Sequence, residues 1–213
     1  CESYHLPTIH PELNKVSDIN DHYHIQGLPN RFAGQGSKKY AQPVKGNKKF
    51  DTFKNWEKSL LKNSEYIALF PNVMIGLHLD HFYVFWLEPL TINKTREHME
   101  MYYIGDKSAN GEELKELRKQ NARFWKDVML EDISAIEGMQ TGRGSPVYNG
   151  GNFSSVMDQP THQLSAHLKS STSQQMVTHY LQAIESFTAA VLKPNKSKSE
   201  IEFHTMDTFQ QCN

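Results

Sequence analysis

Between positions 66 and 104 the chain carries short, closely spaced runs of aromatic and branched apolar residues. Residues 66–70, 73–79, 82–87 and 95–104 each have the length and the Val, Ile, Tyr, Phe and Trp content of strands. Pro71-Asn72 and Asp80-His81 separate the first three runs with turn-forming residues. No helical stretch intervenes, and parallel neighbours would need a long crossover, so the pattern predicts an antiparallel meander. Beyond position 104 the apolar period becomes helical, over 112–140 and again over 176–192. Strands followed by long helices make the expected class α+β, an antiparallel β-sheet with long helices.

Residues 14–64 contrast with this, being rich in Asn, Lys, Gly and Gln and poor in apolar positions. Residues 27–46 read as loop. Residues 50–61 read as a short helix with Phe53, Trp56 and Leu60 on one face. At the other end, residues 193–198 read as a solvated break before a polar tail. No internal repeat is apparent.

In the long helix the periodicity also singles out a charged residue. At about 100° per residue, Leu114, Trp125, Val128, Ile136 and Met139 lie within about 40° of Asp132, which stands at the centre of their stripe. Asp127 and Glu131 point well away from it. A carboxylate on an apolar face must be ion-paired, hydrogen-bonded or metal-bound. Asp132 therefore either meets a buried Arg or Lys or ligates a metal.

Composition narrows the class without changing the fold. The 213 residues suffice for one compact domain, and a hydrophobic content of 38% points to polar insertions around its core. A net charge of −1 and a pI near 6.9 leave no electrostatic footprint for nucleic acid. No apolar run is long enough to span a bilayer, and no signal-peptide pattern is present. The two cysteines, Cys1 and Cys212, fit a reducing compartment and a cytoplasmic location, with a terminal disulfide as the alternative.

The densest candidate chemistry lies in the first thirteen residues. His5 and His10 stand five positions apart, bracketed by Pro7 and Pro11, with Glu2 three residues before the first. The prolines remove backbone donors and restrict φ, so the imidazoles sit on a stiff frame. Two His and one carboxylate with open positions is the non-haem Fe(II) oxygenase arrangement, although spacing alone also allows a purely structural pair. The pairs His22/His24 and His162/His167 lack such a carboxylate and proline bracketing. His78 and His81 flank a turn and either line a pocket or face water. Tyr83, Phe85, Trp86, Tyr102 and Tyr103 read as core.

The wording Glu2-x2-His5-x4-His10-Pro11-Glu12-Leu13, with Tyr4 before the first His, resembles the mononuclear-iron motif of Rieske-type oxygenase α subunits. It is most similar to the branch acting on choline, betaine and carnitine-like substrates. The resemblance continues through Leu69-Phe70-Pro71-Asn72-Val73-Met74-Ile75, Leu87-Glu88-Pro89-Leu90 and Glu131-Asp132-Ile133 to Gln140-Thr141-Gly142, in the family's order. Residues 14–64 and the last twenty or so match nothing in it.

The resemblance implies a helix-grip catalytic domain with Fe(II) held by His5, His10 and Asp132. It implies that Glu2 bridges the iron-binding His to the Rieske cluster of a neighbouring subunit. Electrons would come from NAD(P)H through a ferredoxin- or flavoprotein-type reductase, in a homotrimer. A Rieske [2Fe-2S] cluster needs two Cys and two His, and no Cys-x-His or Cys-x2-His pair occurs here. The chain is thus expected to be the catalytic portion, 1–213, of a longer α subunit whose Rieske domain is missing. The implied reaction is O2-dependent mono- or dioxygenation, as hydroxylation, N-demethylation or C–N cleavage of a quaternary amine, or ring hydroxylation. The competing readings are a non-catalytic helix-grip ligand-binding module and, more weakly, a Zn hydrolase using the same triad.

Overall fold

The computed structural model describes residues 5–15, 17, 21–25, 32–40, 47–54, 58, 61–155 and 158–162. Chain order runs α1 (His5–Ile9), β1 (His22–Ile25), β2 (Phe32–Ser37), β3 (Ser64–Leu69), β4 (Val73–Leu77), β5 (His81–Thr91), β6 (Lys94–Tyr103), α2 (Gly105–Asn110) and α3 (Lys115–Arg143). The six strands form one sheet in sequence order, and each pairs antiparallel with the next. The meander and the α+β class expected from the apolar runs are both present. The predicted helix over 176–192, the break over 193–198, Glu2, His167 and both cysteines lie outside the described residues.

Strand alternation defines two unequal faces. In β5, His81, Tyr83 and Phe85 are buried while Phe82, Val84 and Trp86 are only half-buried. The first set joins Met99, Met101 and Tyr103 of β6 in the main core, which Leu6, Trp125 and Val128 close from the helical side. A smaller cluster around Leu69, Val73 and Ile75 occupies the opposite face.

The 29-residue α3, about 43 Å long at 1.5 Å per residue, runs back along the β5–β6 hairpin. Near its start, Asn121 Nδ2 donates to the Tyr103 hydroxyl at 3.3 Å. Near its end, Gln140 Nε2 donates to Asn93 Oδ1 at the hairpin tip, at 3.1 Å. Its middle is tied down by Trp125, whose Nε1–H donates to His81 Nε2 at 2.9 Å.

Several expectations need correction. Residues 27–46 are not all loop, because β2 lies within them between β1 and β3. Its sequence, Phe-Ala-Gly-Gln-Gly-Ser, has little branched apolar content, yet five of its six residues are buried. Gly36 has a steric reason: a Cβ there would meet the Tyr23 ring at 2.3 Å. The short helix expected over 50–61 is absent at residues 50–53, where Phe50 is buried without regular structure; Trp56 and Leu60 lie outside the described residues. The predicted apolar stripe of α3 is buried only as far as Val128. Ile136 and Met139 are 51% and 56% exposed, because the helix outruns the main core beyond that point. His78 and His81 do not face water but are enclosed in the core.

Candidate metal centre

α1 is a single helical turn, and its brevity is what brings its two histidines together. On an ideal helix, residues five apart differ by about 140° and face different directions. Pro7 is tolerated because it falls in the first turn, where the backbone donors have no intrahelical acceptor. Pro11 disfavours helical backbone at His10, so the helix stops at Ile9. Leu6 and Leu13 are buried on either side and fix the segment to the core. His10 lies just past the helix end, and its Nε2 comes to 3.2 Å from the Nε2 of His5.

Asp132 of α3 completes the group. Its Oδ1 lies 2.9 Å from His5 Nε2 and 3.4 Å from His10 Nε2. His10 is 1% exposed, whereas His5 and Asp132 are 25% and 26% exposed, so the centre meets solvent through those two residues. The alternative of a buried cationic partner for Asp132 finds no support among the described residues. The buried Arg118 donates to the carbonyls of Ser108 and Gly111, and it stands fourteen residues, about 21 Å, up the helix.

Donor chemistry fits a transition metal. Ligand atoms about 2.1 Å from one ion and at right angles are about 3 Å apart, close to the 2.9, 3.2 and 3.4 Å found here. Two imidazole nitrogens facing each other at 3.2 Å repel unless a proton or a cation lies between them. His10 Nδ1 lies 3.0 Å from Glu131 Oε2, and because a carboxylate accepts, this pairing suits the tautomer protonated on Nδ1, the one that leaves Nε2 for a metal. Among the described residues His5, His10 and Asp132 form the only cluster of three such side chains placed to hold a metal.

Glu131 corrects the sequence-based expectation that it points well away. Its long side chain reaches sideways to α1, which lies beside α3, so the helical angle alone was a poor guide. Its Oε1 also accepts from the backbone N–H of Glu12 at 3.4 Å. The signal available in the sequence was the adjacency of two carboxylates at 131 and 132. The remaining site residue expected, Glu2, lies outside the described residues.

Two neighbours feel the charge of Asp132. Burial and, secondarily, Asp132 favour the protonated form of Glu97. Burial pushes the Tyr83 hydroxyl well above its ordinary pKa, with further contributions from Tyr66, Tyr40 and Asp132. The Tyr83 and Trp125 rings pack at 4.8 Å within the core.

The other histidines are differently placed. His24 is exposed on β1. His98 is held by Glu88 at 2.8 Å and stacked on Trp86. His162 packs edge-on against Phe153. No helix among the described residues is long and apolar enough to cross a membrane.

A family model described as the ring hydroxylating alpha subunit (catalytic domain) matches residues 1–174 of the 213. Neither a curated protein nor a solved structure matches the chain significantly.

Proposed function

The chain belongs to the ring-hydroxylating α-subunit family, as its catalytic domain, and on that premise we propose that His5, His10 and Asp132 hold one mononuclear Fe(II) for oxygenation of a small organic substrate. Membership makes the protein an oxidoreductase of the oxygenase type. The convergence of two imidazoles and one carboxylate from α1 and α3 supports the ligand set most directly. Fe(II) bound there would supply O2 activation, with electrons arriving from NAD(P)H through a reductase and a Rieske [2Fe-2S] cluster outside this chain.

The protein's own part is positional. His5 and His10 bind through Nε2, and Asp132 through Oδ1, leaving the remaining positions open. The buried side of His10 excludes water, while the partly exposed side of Asp132 faces the approach. α3 would be the gripped helix of a helix-grip fold. The wording of the His5–His10 segment, most similar to the choline, betaine and carnitine branch, supports hydroxylation next to nitrogen. Glu2, preceding His5 by three residues, would couple the centre to the cluster of a neighbouring subunit in a homotrimer.

Metal analysis after anaerobic loading with Fe(II) tests the proposal. One iron per chain is expected, lost in His5→Ala, His10→Ala and Asp132→Ala but kept in His98→Ala and Glu2→Gln. Iron retained in full by His10→Ala would overturn the ligand set. An absence of iron binding in the unsubstituted protein would favour the non-catalytic ligand-binding module.

A further inference from the structure

We infer that Glu131 is a positioning residue for the metal centre, working through His10 rather than through metal or substrate. This rests on the proposed role of His10 as a ligand and adds a function for the carboxylate next to Asp132. The two adjacent acids of α3 then have different tasks. Asp132 turns its Oδ1 to both Nε2 atoms, whereas Glu131 meets His10 on the opposite ring nitrogen.

Three observations carry the assignment. The Nδ1–Oε2 distance of 3.0 Å is that of a hydrogen bond, made where His10 has almost no contact with water. Each Glu131 oxygen has its own donor on the histidine segment, Oε2 from His10 Nδ1 and Oε1 from the Glu12 N–H. The carboxylate therefore fixes both the rotation of the ring and the backbone just after it. Finally, neutral imidazole exists in two tautomers, and only the one with its proton on Nδ1 leaves Nε2 able to ligate. Solvent cannot select between them at so buried a ring, so a fixed acceptor must. Outer carboxylates of this kind also raise the basicity of the imidazole they hold.

Glu12 lies beyond the second proline, so Glu131 ties α3 to the point where the chain leaves the centre. Without it, His10 could turn about its side-chain bonds or take the other tautomer, and Nε2 would then carry a hydrogen facing His5.

The test uses the full chain without metal and then with Co(II) as probe. In the metal-free protein, long-range 1H–15N spectra should show His10 protonated on Nδ1. Glu131→Ala should abolish that preference and weaken Co(II) binding about 10- to 100-fold, with the far-UV circular dichroism of the metal-free protein unchanged. Glu131→Gln retains an acceptor oxygen and should recover part of the tautomer preference and of the affinity. An unaltered tautomer together with unaltered Co(II) affinity in Glu131→Ala would overturn the inference. His10→Ala separates the two levels. If it binds Co(II) like the unsubstituted protein, the ligand assignment itself is wrong. If it does not, while Glu131→Ala binds normally, only the positioning role fails.

Discussion

His78 sits fully buried, with the rings of Tyr40, His81 and Trp125 at 4.5, 4.6 and 4.7 Å and with neither ring nitrogen hydrogen-bonded among the described residues. Burial, reinforced by His81, holds its pKa well below the ordinary 6.5. The unfolded chain takes up a proton near that pH and the folded chain does not. The stabilisation is therefore complete above pH 6.5 and declines as pH falls below it, by up to about 1.4 kcal/mol per pH unit. Replacing His78 by Phe removes the titrating group and keeps the aromatic packing. The fall in unfolding free energy between about pH 7.5 and about pH 5.5 should shrink by about 1 kcal/mol in His78→Phe, measured by urea titration at both pH values. An unchanged fall would mean that the folded protein protonates His78 freely. Legibility at this scale followed chemistry that is local in sequence. His5 and His10 could be singled out because prolines bracket them, and Asp132 because it interrupts an apolar stripe. His78 could not, and for Glu131 the only signal was its adjacency to Asp132, since both roles depend on what packs beside them.

Among the elements, β3 to β6 and α3 were legible because their apolar runs are long enough to show a period. The start of α3 shifted only because Glu112–Leu114 forms a tight 3-10 turn before it. β1 is only four residues long, too short to show a period, and β2 was hidden for a steric reason: close contacts over its backbone select glycine, which removes the side chains that would announce a strand. Gly76 in β4 is a second instance, where a Cβ would lie 2.2 Å from the Tyr83 ring. That ring cannot swing away, because Trp125 packs against it at 4.8 Å. Gly76→Ala should therefore destabilise the protein by about 1–3 kcal/mol despite adding strand propensity. The midpoint of urea unfolding reads this directly, and a variant as stable as the unsubstituted protein would show that the β4–β5 contact is looser than drawn.

In the whole molecule, the sheet and the candidate centre are assembled by different kinds of contact. Every strand pairs with its neighbour in sequence, and apart from the connection over 38–63 between β2 and β3 the pairing closes short loops. The centre joins residues 121 and 127 positions apart, and no local pattern could have foretold that α1 would settle against α3. Leu6 and Leu13 are its principal apolar anchors, each contributing roughly 1.5–3 kcal/mol by burial. Native-state hydrogen exchange should find the amides of α1 opening at lower free energy than those of β5 and β6. Leu6→Ala should widen that gap by about 2–5 kcal/mol; equal protection of α1 and the sheet would contradict the scheme.

The anchoring of α1 bears on how the protein ages. A single turn that lifts away on its own would take two imidazoles with it and leave six paired strands behind. Inactivation on storage or mild heating would then precede any loss of secondary structure. A circular-dichroism melt would overstate the useful lifetime of the protein, and the temperature at which bound metal is released would be the truer measure of it.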